Sequence, residues 1–227
     1  MKKILVAIIL SLFINSNSFG HLEHYAGVNY LEYDLYRNNN LIGSHKYNFV
    51  KNGDNLTVKS VVNFKITKLG IDLYKYFAES SENYEENSFT SFKSTTIQNK
   101  KNKYVKIRLN SDQNKLIIDG SSYKGDTDIN YMVGTWWNHQ IVKAKAQISA
   151  ISGRVIHQNV IFLGKKQIKI NGKTYEALHF KFLSSDQTLP DNKKLNTDIW
   201  YDAKTLIWLK AQFIKQGNWE YRLKKQN

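Results

Sequence analysis

Residues 56–66 read LTVKSVVNFKI, and this stretch decides the fold class. The even-numbered positions are mostly apolar and include Leu56, Val58, Val62, Phe64 and Ile66. The odd-numbered positions are mostly polar and include Thr57, Lys59, Asn63 and Lys65. Because successive side chains of a β-strand point to opposite faces, this period of two predicts a strand with one face in a core.

The same alternation recurs along most of the chain. The residues that these further segments are predicted to turn inward are Leu31, Tyr33 and Leu35; Val105, Ile107 and Leu109; Leu178, Phe180 and Phe182; Ile207, Leu209, Ala211 and Phe213; and Trp219, Tyr221 and Leu223. Turn sequences separate the segments, namely Asn38-Asn39-Asn40, Asn52-Gly53, Asp112-Gln113, Asp119-Gly120, Asn171-Gly172 and Gln216-Gly217-Asn218. Turns this short join antiparallel strands and leave no room for the crossover helices that parallel strands need.

These features predict an all-β protein, a single strongly curved antiparallel meander that forms a barrel or half-barrel. At most one or two short helices are expected, near residues 136–150, where Asn138 is a suitable N-cap for the run that follows it to Ile148. A long sheet with one apolar face must close, curl or be covered. We therefore expect residues 131–150 to lie across the mouth or edge of the curved sheet.

The first twenty residues have the pattern of a secretory signal peptide. Lys2 and Lys3 precede an apolar run at 4–14 that is too short to span a bilayer, and Ser18 and Gly20 supply the small residues of a cleavage site. We expect residues 1–20 to be removed near Gly20 and residues 21–227 to form a single secreted β domain, located in the periplasm or outside the cell. The sequence contains no cysteine, which excludes disulfides and thiolate chemistry.

The formal net charge is +14, from 33 Lys and Arg against 19 Asp and Glu. Such a charge favours anionic partners, and the surface of an anionic membrane is one that an exported protein meets. No nucleic acid partner is expected, because the protein is predicted to be exported and its lysines are scattered rather than clustered. The sequence indicates no particular protein partner.

Three stretches together carry a family resemblance. They are YDLYRNNNLIGSHKYNF at 33–49, GTWWNHQIV at 134–142, and DIWYDAKTLIWLKAQF with NWEYRL at 198–223. The chain resembles an uncharacterised family of secreted bacterial antiparallel-β proteins, classed as a domain of unknown function. The members of this family have Ile-Gly-x-His, His-Trp-Asn and Trp-Tyr-Asp motifs in this order. The resemblance covers about residues 30 to 223 and implies an antiparallel β fold and export, without implying an activity.

The chain departs from the family pattern in the middle motif. A histidine commonly precedes the Trp-Asn pair in the family, and Trp136 occupies that place here, ahead of Trp137 and Asn138. If relatives use that histidine for catalysis or metal binding, this protein has lost the group. His139 is adjacent but does not stand at the equivalent position.

The stretch GTWWNHQ, residues 134–140, supplies the first ligand-binding candidates. Adjacent side chains on a regular strand point to opposite faces, so two neighbouring tryptophans predict that the chain turns here. The rings either close one end of the curved sheet or form the wall of a cavity for an apolar or sugar ligand. The ligand-binding candidates are Trp136, Trp137, Asn138, His45, Tyr47 and Trp200.

Histidines supply weak catalytic candidates. His45 is in register with Tyr47 and is expected to point inward, and His157 is expected to do the same. An inward histidine is more often a hydrogen-bonded core residue than a catalytic group. His179 shares a face with Lys181 and is expected to be solvated.

Two carboxylates complete the catalytic candidates. Asp198 and Asp202 are four residues apart, on the strand face of Trp200, and could act as a general acid and base. Asp202 also begins DAKT, where a carboxylate can cap the backbone N–H groups of a turn. No cofactor motif or zinc spacing is present, and His21 and His24 are weak candidates for Cu(II) if cleavage leaves His21 as the new N-terminus.

The functional hypothesis is an exported envelope protein, not an enzyme, that binds or carries a lipid or another amphipathic ligand in its concave face. A long meander with one apolar face either fills its interior or leaves an apolar cavity. One alternative is a hydrolase-like enzyme that uses histidine and aspartate residues of the sheet, two of which should then meet in a pocket. The other is a structural or protein-binding module with a filled core.

Overall fold

The computed structural model describes residues 22–191 and 193–227, which form one 15-stranded sheet and two short 3-10 helices. The helices are η1 (Leu22–Tyr25) and η2 (His139–Lys143). The strands are β1 (Tyr30–Arg37), β2 (Asn40–Asn52), β3 (Asn55–Lys68), β4 (Ile71–Glu85), β5 (Ser88–Gln98), β6 (Lys101–Asn110), β7 (Lys115–Gly120), β8 (Lys124–Asp128), β9 (Met132–Val133), β10 (Ala146–Ile148), β11 (Val155–Ile170), β12 (Lys173–Ser184), β13 (Asn196–Asp202), β14 (Trp208–Ile214) and β15 (Asn218–Gln226). None of the described helices has the length and apolarity needed to cross a lipid bilayer.

The first and last strands, β1 and β15, pair with each other in the middle of the sheet. Its order is β8-β7-β6-β5-β4-β3-β2-β1-β15-β14-β13-β12-β11-β10-β9, with β1 antiparallel to β15. Neighbours pair antiparallel except β9 and β10, which are parallel. Within the described residues β8 and β9 are the two ends and do not pair with each other, so the sheet is not closed.

The sheet nevertheless curls until its two ends pack together. A second core joins side chains of β5, β6 and β7 to β9 and β10, and its buried members are Phe92, Val105, Ile107, Leu116, Ile118, Val133 and Ile148. The end of β7 reaches the turn before β11, where Ser122 donates its backbone N–H to the Ser152 carbonyl oxygen at 2.9 Å. At Gly120 an added Cβ would lie 2.6 Å from that same oxygen, so only glycine allows this approach. The predicted all-β, strongly curved, barrel-like meander is therefore confirmed.

Most predicted inward residues are buried, and β11 and β14 deviate from simple alternation. In β11 the pairing with β12 shifts between Phe162 and Lys165, and Ile161, Phe162 and Leu163 are all exposed, so neither face of this stretch lies in the core. In β14 the pairing with β13 shifts so that Trp208 lies opposite Tyr201. Trp208 therefore points to the inner face, whereas simple alternation predicts the outer face. A bulge inserts one residue and exchanges the faces beyond it, which a pattern of period two does not reveal.

The turns follow the predicted chemistry with one exception. Asn38, Asn39 and Asn171 have φ values of 49°, 63° and 48°, in the left-handed region that asparagine tolerates in short hairpin turns. The Asp119-Gly120 prediction was wrong, because both residues still belong to β7 and the chain turns after them.

The segment predicted to cross the sheet contains β9, η2 and β10. Asn138 is the N-cap of η2, and its side-chain oxygen accepts the Gln140 N–H at 3.0 Å. The helical part ends at Lys143, earlier than the run to Ile148 suggested, because Ala146–Ile148 pairs with β11 as a strand.

Candidate functional site

Residues 134–137, here called the crossing segment, pass over the concave side of the sheet. Buried tyrosine hydroxyls from η1, β2 and β13 donate to three successive carbonyl oxygens of this segment. The pairs are Tyr47 to Thr135 (2.5 Å), Tyr201 to Trp136 (2.9 Å) and Tyr25 to Trp137 (2.6 Å). Burial raises the pKa of Tyr47 and Tyr201 well above the ordinary tyrosine value, so these hydroxyls keep the protons that they donate.

Trp137 closes the core. Its side chain is fully buried, and its ring makes edge contacts with Tyr25, Phe49 and Tyr84. Its Nε1 donates to Glu82 Oε2 at 2.9 Å. A buried indole N–H needs such an acceptor, so Trp137 takes the first of the two roles considered for the tryptophan pair.

Glu82 is the hydrogen-bond acceptor for Trp137 and for two further donors. Its carboxylate accepts hydrogen bonds from the Trp137 indole, from Thr135 Oγ1 at 3.1 Å and from the Tyr84 hydroxyl. Burial raises the pKa of Glu82, although these three donors act in the opposite direction. Glu82 was not among the residues predicted from sequence, although it lies four positions after Ala78 on the same face of β4, and Ala78 faces the interior.

Trp136 takes the second role, in the wall of a cavity. Its φ is 59°, so the chain turns between the two tryptophans as predicted. Its ring makes edge contacts with Trp208 at 5.6 Å and with Tyr221 at 5.9 Å between centroids. The left-handed backbone therefore directs one ring into the core and the other into open space on the concave side.

That space is an open cavity of about 350 Å³, here called the central cavity. It lies between β2–β5, the crossing segment, the turn before β11 and the ends of β13–β15. Its aromatic wall consists of Tyr76, Trp136, Phe213 and Tyr221. Its mouth carries four basic residues, Arg154, Lys193, Lys194 and Lys215. The volume lies within the range that small-molecule sites occupy.

Three side chains in the cavity wall, those of His45, Thr96 and Trp136, have buried polar atoms without a hydrogen-bond partner among the described residues. Both ring nitrogens of His45 and the Nε1 of Trp136 have no hydrogen-bond partner among residues 22–191 and 193–227. Burial lowers the pKa of His45 to about 3, so the imidazole is neutral at neutral pH and offers one donor and one acceptor. Buried polar atoms are normally paired, so these groups point to a partner that occupies the cavity.

The remaining ligand-binding candidates lie elsewhere. Tyr47 is buried beside His45, with 4.2 Å between ring centroids, and its hydroxyl is bound to the crossing segment. Asn138 is buried as the N-cap of η2, and Trp200 is on the outer face of the sheet. Of the predicted set, only His45 and Trp136 line the central cavity.

The outer face brings together His179, Asp198 and Trp200. The Nε2 of His179 donates to Asp198 Oδ1 at 2.7 Å, and Lys181 Nζ lies 2.6 Å from the other carboxylate oxygen. The imidazole is stacked on the Trp200 indole, with 4.3 Å between centroids. The prediction that His179 is solvated was therefore wrong, because its cross-strand neighbour covers it. Burial lowers the pKa of His179, and the hydrogen bond to Asp198 opposes this shift.

The other catalytic candidates do not assemble. His157 is exposed on the outer side of β11, so its predicted inward orientation was wrong, and its ring makes an edge contact with Tyr131 at 5.6 Å between centroids. Asp202 accepts the backbone N–H groups of Lys204 and Thr205 at 2.9 and 2.7 Å, as expected for a turn cap. The one pair that meets, His179 with Asp198, does not line the central cavity.

The metal candidates remain untested. His24 is exposed, and its ring makes an edge contact with His139 at 5.2 Å, whereas His21 lies outside the described residues. Within the described part of the chain, no group of three His, Asp or Glu side chains is arranged to hold a metal ion.

The fold and the cavity together define a class, that of open, barrel-like antiparallel β proteins with a ligand-sized cavity on the concave side. Within this class the chain belongs to the family described as Domain of unknown function (DUF6134), whose profile matches residues 33–224. The predicted membership of an uncharacterised β family is thereby confirmed.

A solved structure shares the architecture. It is described as the crystal structure of a beta-barrel-like protein of Domain of Unknown Function DUF1849 from Brucella abortus. It superposes with a TM-score of 0.60 at 12% sequence identity, over 88% of this chain and 98% of that chain. At this identity the likeness establishes the fold alone. No curated protein matches the chain.

Proposed function

We propose that this protein binds a small amphipathic molecule in the central cavity and carries it. The observation that supports this most strongly is the cavity of about 350 Å³ whose wall includes buried polar atoms without protein partners, on His45 and Trp136. A site with mostly apolar walls and a few convergent polar groups is typical of a small-molecule pocket.

The cavity favours ligand binding over the two alternatives. A structural module with a filled core leaves no reason for an open space lined by Phe213 and Tyr221. A hydrolase needs its acid and base beside the substrate, and the His179–Asp198 pair lies on the opposite face of the sheet from those rings.

The proposed place of work is outside the cytoplasm, after removal of residues 1–20. The apolar run at 4–14 and the small residues Ser18 and Gly20 support this. Intact-mass measurement of the protein from its own cells should give the mass of residues 21–227. The net positive charge also supports contact with anionic membranes, from which an amphipathic ligand could be collected.

Native mass spectrometry of the protein purified from its own envelope tests the binding. We expect an additional mass of a few hundred daltons that disappears under denaturing conditions, on the scale of a small-molecule ligand. Ala78 lines the cavity, and Ala78→Phe should remove the extra mass by filling the space.

A matched control lies on the same strand. Ser81 is three residues further along β4 and faces outward, opposite Lys59 and Lys93, so Ser81→Phe should keep the additional mass. Thermal unfolding of both variants establishes that they are folded. Folded wild-type protein that repeatedly emerges without any bound molecule would refute the proposal.

A further inference from the structure

The mouth of the central cavity concentrates positive charge. Arg154, Lys193, Lys194 and Lys215 line it, and they come from the turn before β11, the loop before β13 and the turn after β14. These segments are far apart in sequence and meet only because the sheet curls. Lys193 and Lys215 are exposed, whereas His45 is buried, so the basic groups lie at the solvent end of the cavity.

These charges are largely without acidic partners. Among the described residues Arg154, Lys193 and Lys215 form no ion pair, and Lys194 pairs only with the exposed Asp191 at 3.1 Å. The Nη2 of Arg154 donates to the Lys193 carbonyl oxygen at 3.1 Å, which neutralises no charge. Arg154, Lys193 and Lys215 therefore retain the capacity to bind an anion.

The outer face provides a contrast within the same molecule. Lys181 pairs with Asp198 at 2.6 Å, and Lys210 and Arg222 both pair with Glu220, at 2.9 and 2.7 Å. Basic side chains on this part of the outer face are thus paired with carboxylates, whereas Arg154, Lys193 and Lys215 at the mouth are not, within the described part of the chain.

The basic groups at the mouth are close enough to repel one another. Burial lowers the pKa of Lys215, and the neighbouring charges of Arg154 and Lys103 lower it further. A bound anion would relieve this repulsion and the cost of partial burial together.

On the side of β14 and β15, the wall between the mouth and the buried end is aromatic. Phe213 and Tyr221 lie on the inner face between Lys215 and His45, with 6.4 Å between their ring centroids, and Tyr221 contacts His45 at 6.1 Å. The cavity therefore has basic groups at its open end and an aromatic wall that leads inward along β14 and β15.

We propose that the ligand of the central cavity is an anionic amphiphile. Its carboxylate or phosphate head group binds at the mouth, to Arg154 and Lys215 with Lys103 nearby, and its apolar chain lies along Phe213 and Tyr221. This assignment rests on the proposed function, and it adds the sign and the position of the ligand's charge.

The test compares probes that share one chain and differ in the head group. Decanoate, decanol and decyltrimethylammonium are titrated into delipidated full-length mature protein by calorimetry at low salt. Decanoate should bind about tenfold more tightly than decanol, since charge-assisted hydrogen bonds to the head group exceed neutral ones by that order. Decyltrimethylammonium should bind most weakly, and added salt should reduce only the preference for decanoate.

Two double variants locate the effect. Arg154→Gln with Lys215→Gln should abolish the preference for decanoate and leave decanol binding unchanged. Lys59→Gln with Lys93→Gln removes the same charge from exposed positions on the outer face and should preserve the preference. Thermal unfolding of both verifies that they fold.

The outcomes separate the two proposals. Equal binding of decanoate and decanol, or a preference that survives loss of Arg154 and Lys215, overturns the anionic assignment while cavity binding stands. Inorganic phosphate that binds as tightly as decanoate also overturns it, because the site would then recognise a bare anion. If none of the three decyl compounds binds, the proposed function fails as well.

Discussion

Glu82 is an ionisable residue that the sheet buries on its inner face, where three donors bind its carboxylate. Its folded-state pKa is raised by burial, so the folded protein holds the proton of Glu82 at pH values where the unfolded chain has released it. The free energy of unfolding should therefore fall as the pH rises from the ordinary glutamate pKa through the raised one.

Glu82→Gln isolates this contribution. The variant cannot titrate, so its stability relative to wild type should increase as the pH rises through that window. Urea denaturation of both proteins at several pH values measures the difference. A difference that stays constant with pH, or decreases, contradicts the burial argument.

The burial of His45 should make the free energy of unfolding depend on pH in the opposite direction. Because burial lowers its pKa to about 3, the unfolded chain takes up a proton below the ordinary histidine pKa and the folded protein does not. The cost of burying two unpaired ring nitrogens also disappears in His45→Leu. We expect this variant to stabilise the ligand-free protein by about 1 kcal/mol at neutral pH, and by more as the pH falls toward 3.

His179→Leu is the matched control for His45→Leu. His179 is also buried and its Nδ1 has no partner among the described residues, but its Nε2 is bound to Asp198 and its ring is stacked on Trp200. Loss of these contacts should destabilise the protein by about 2 kcal/mol. If His45→Leu destabilises the ligand-free protein by a similar amount, His45 has an internal partner and the assignment of its ring nitrogens to a ligand is wrong.

Among the structural elements, the crossing segment is held by side chains more than by sheet hydrogen bonds. Tyr47→Phe and Tyr201→Phe each leave one carbonyl oxygen of this segment without its donor. We expect each to cost about 1 kcal/mol and to accelerate amide hydrogen exchange in residues 134–137 relative to the rest of the chain.

Tyr104→Phe is the control for these substitutions. The Tyr104 hydroxyl donates to Asp119 at 3.0 Å on a partly exposed face, so its loss should change the stability little and leave exchange in residues 134–137 unaltered. Uniform acceleration of exchange throughout the sheet in Tyr47→Phe would show that the hydroxyl supports the whole fold and not this segment.

The strands were predictable from sequence because the alternation of apolar and polar residues, and the asparagine and glycine residues of the turns, are local features of the sequence. The faces to which His157 and Trp208 point were not predictable from sequence. Their strands, β11 and β14, depart from simple alternation, and the residue that the bulge in β14 inserts has no signature in the composition. The turn at Trp136 was predictable, since on a regular strand one of two adjacent tryptophans would point to the outer face of the sheet. Which ring fills the core depends on Glu82, and that pairing spans 55 residues.

For the molecule as a whole, the charge at the mouth was the feature that sequence could not locate. Arg154 and Lys215 look like ordinary scattered basic residues, and a net charge of +14 predicts anionic partners without placing them. Only curvature brings the two turns to one opening, because the sheet packs β5–β7 against β9 and β10. The same curvature leaves the concave side open, so one property of the fold creates both the cavity and its basic mouth.

The central claim is that the concave cavity is the binding site, and cross-linking with a diazirine-bearing decanoate tests it most directly. Irradiation followed by peptide mapping should find adducts on cavity residues, foremost Trp136, Phe213 and Tyr221, and Ala78→Phe should abolish them. Adducts confined to exposed apolar positions such as Ile161 and Leu163, or unaffected by Ala78→Phe, would contradict the claim.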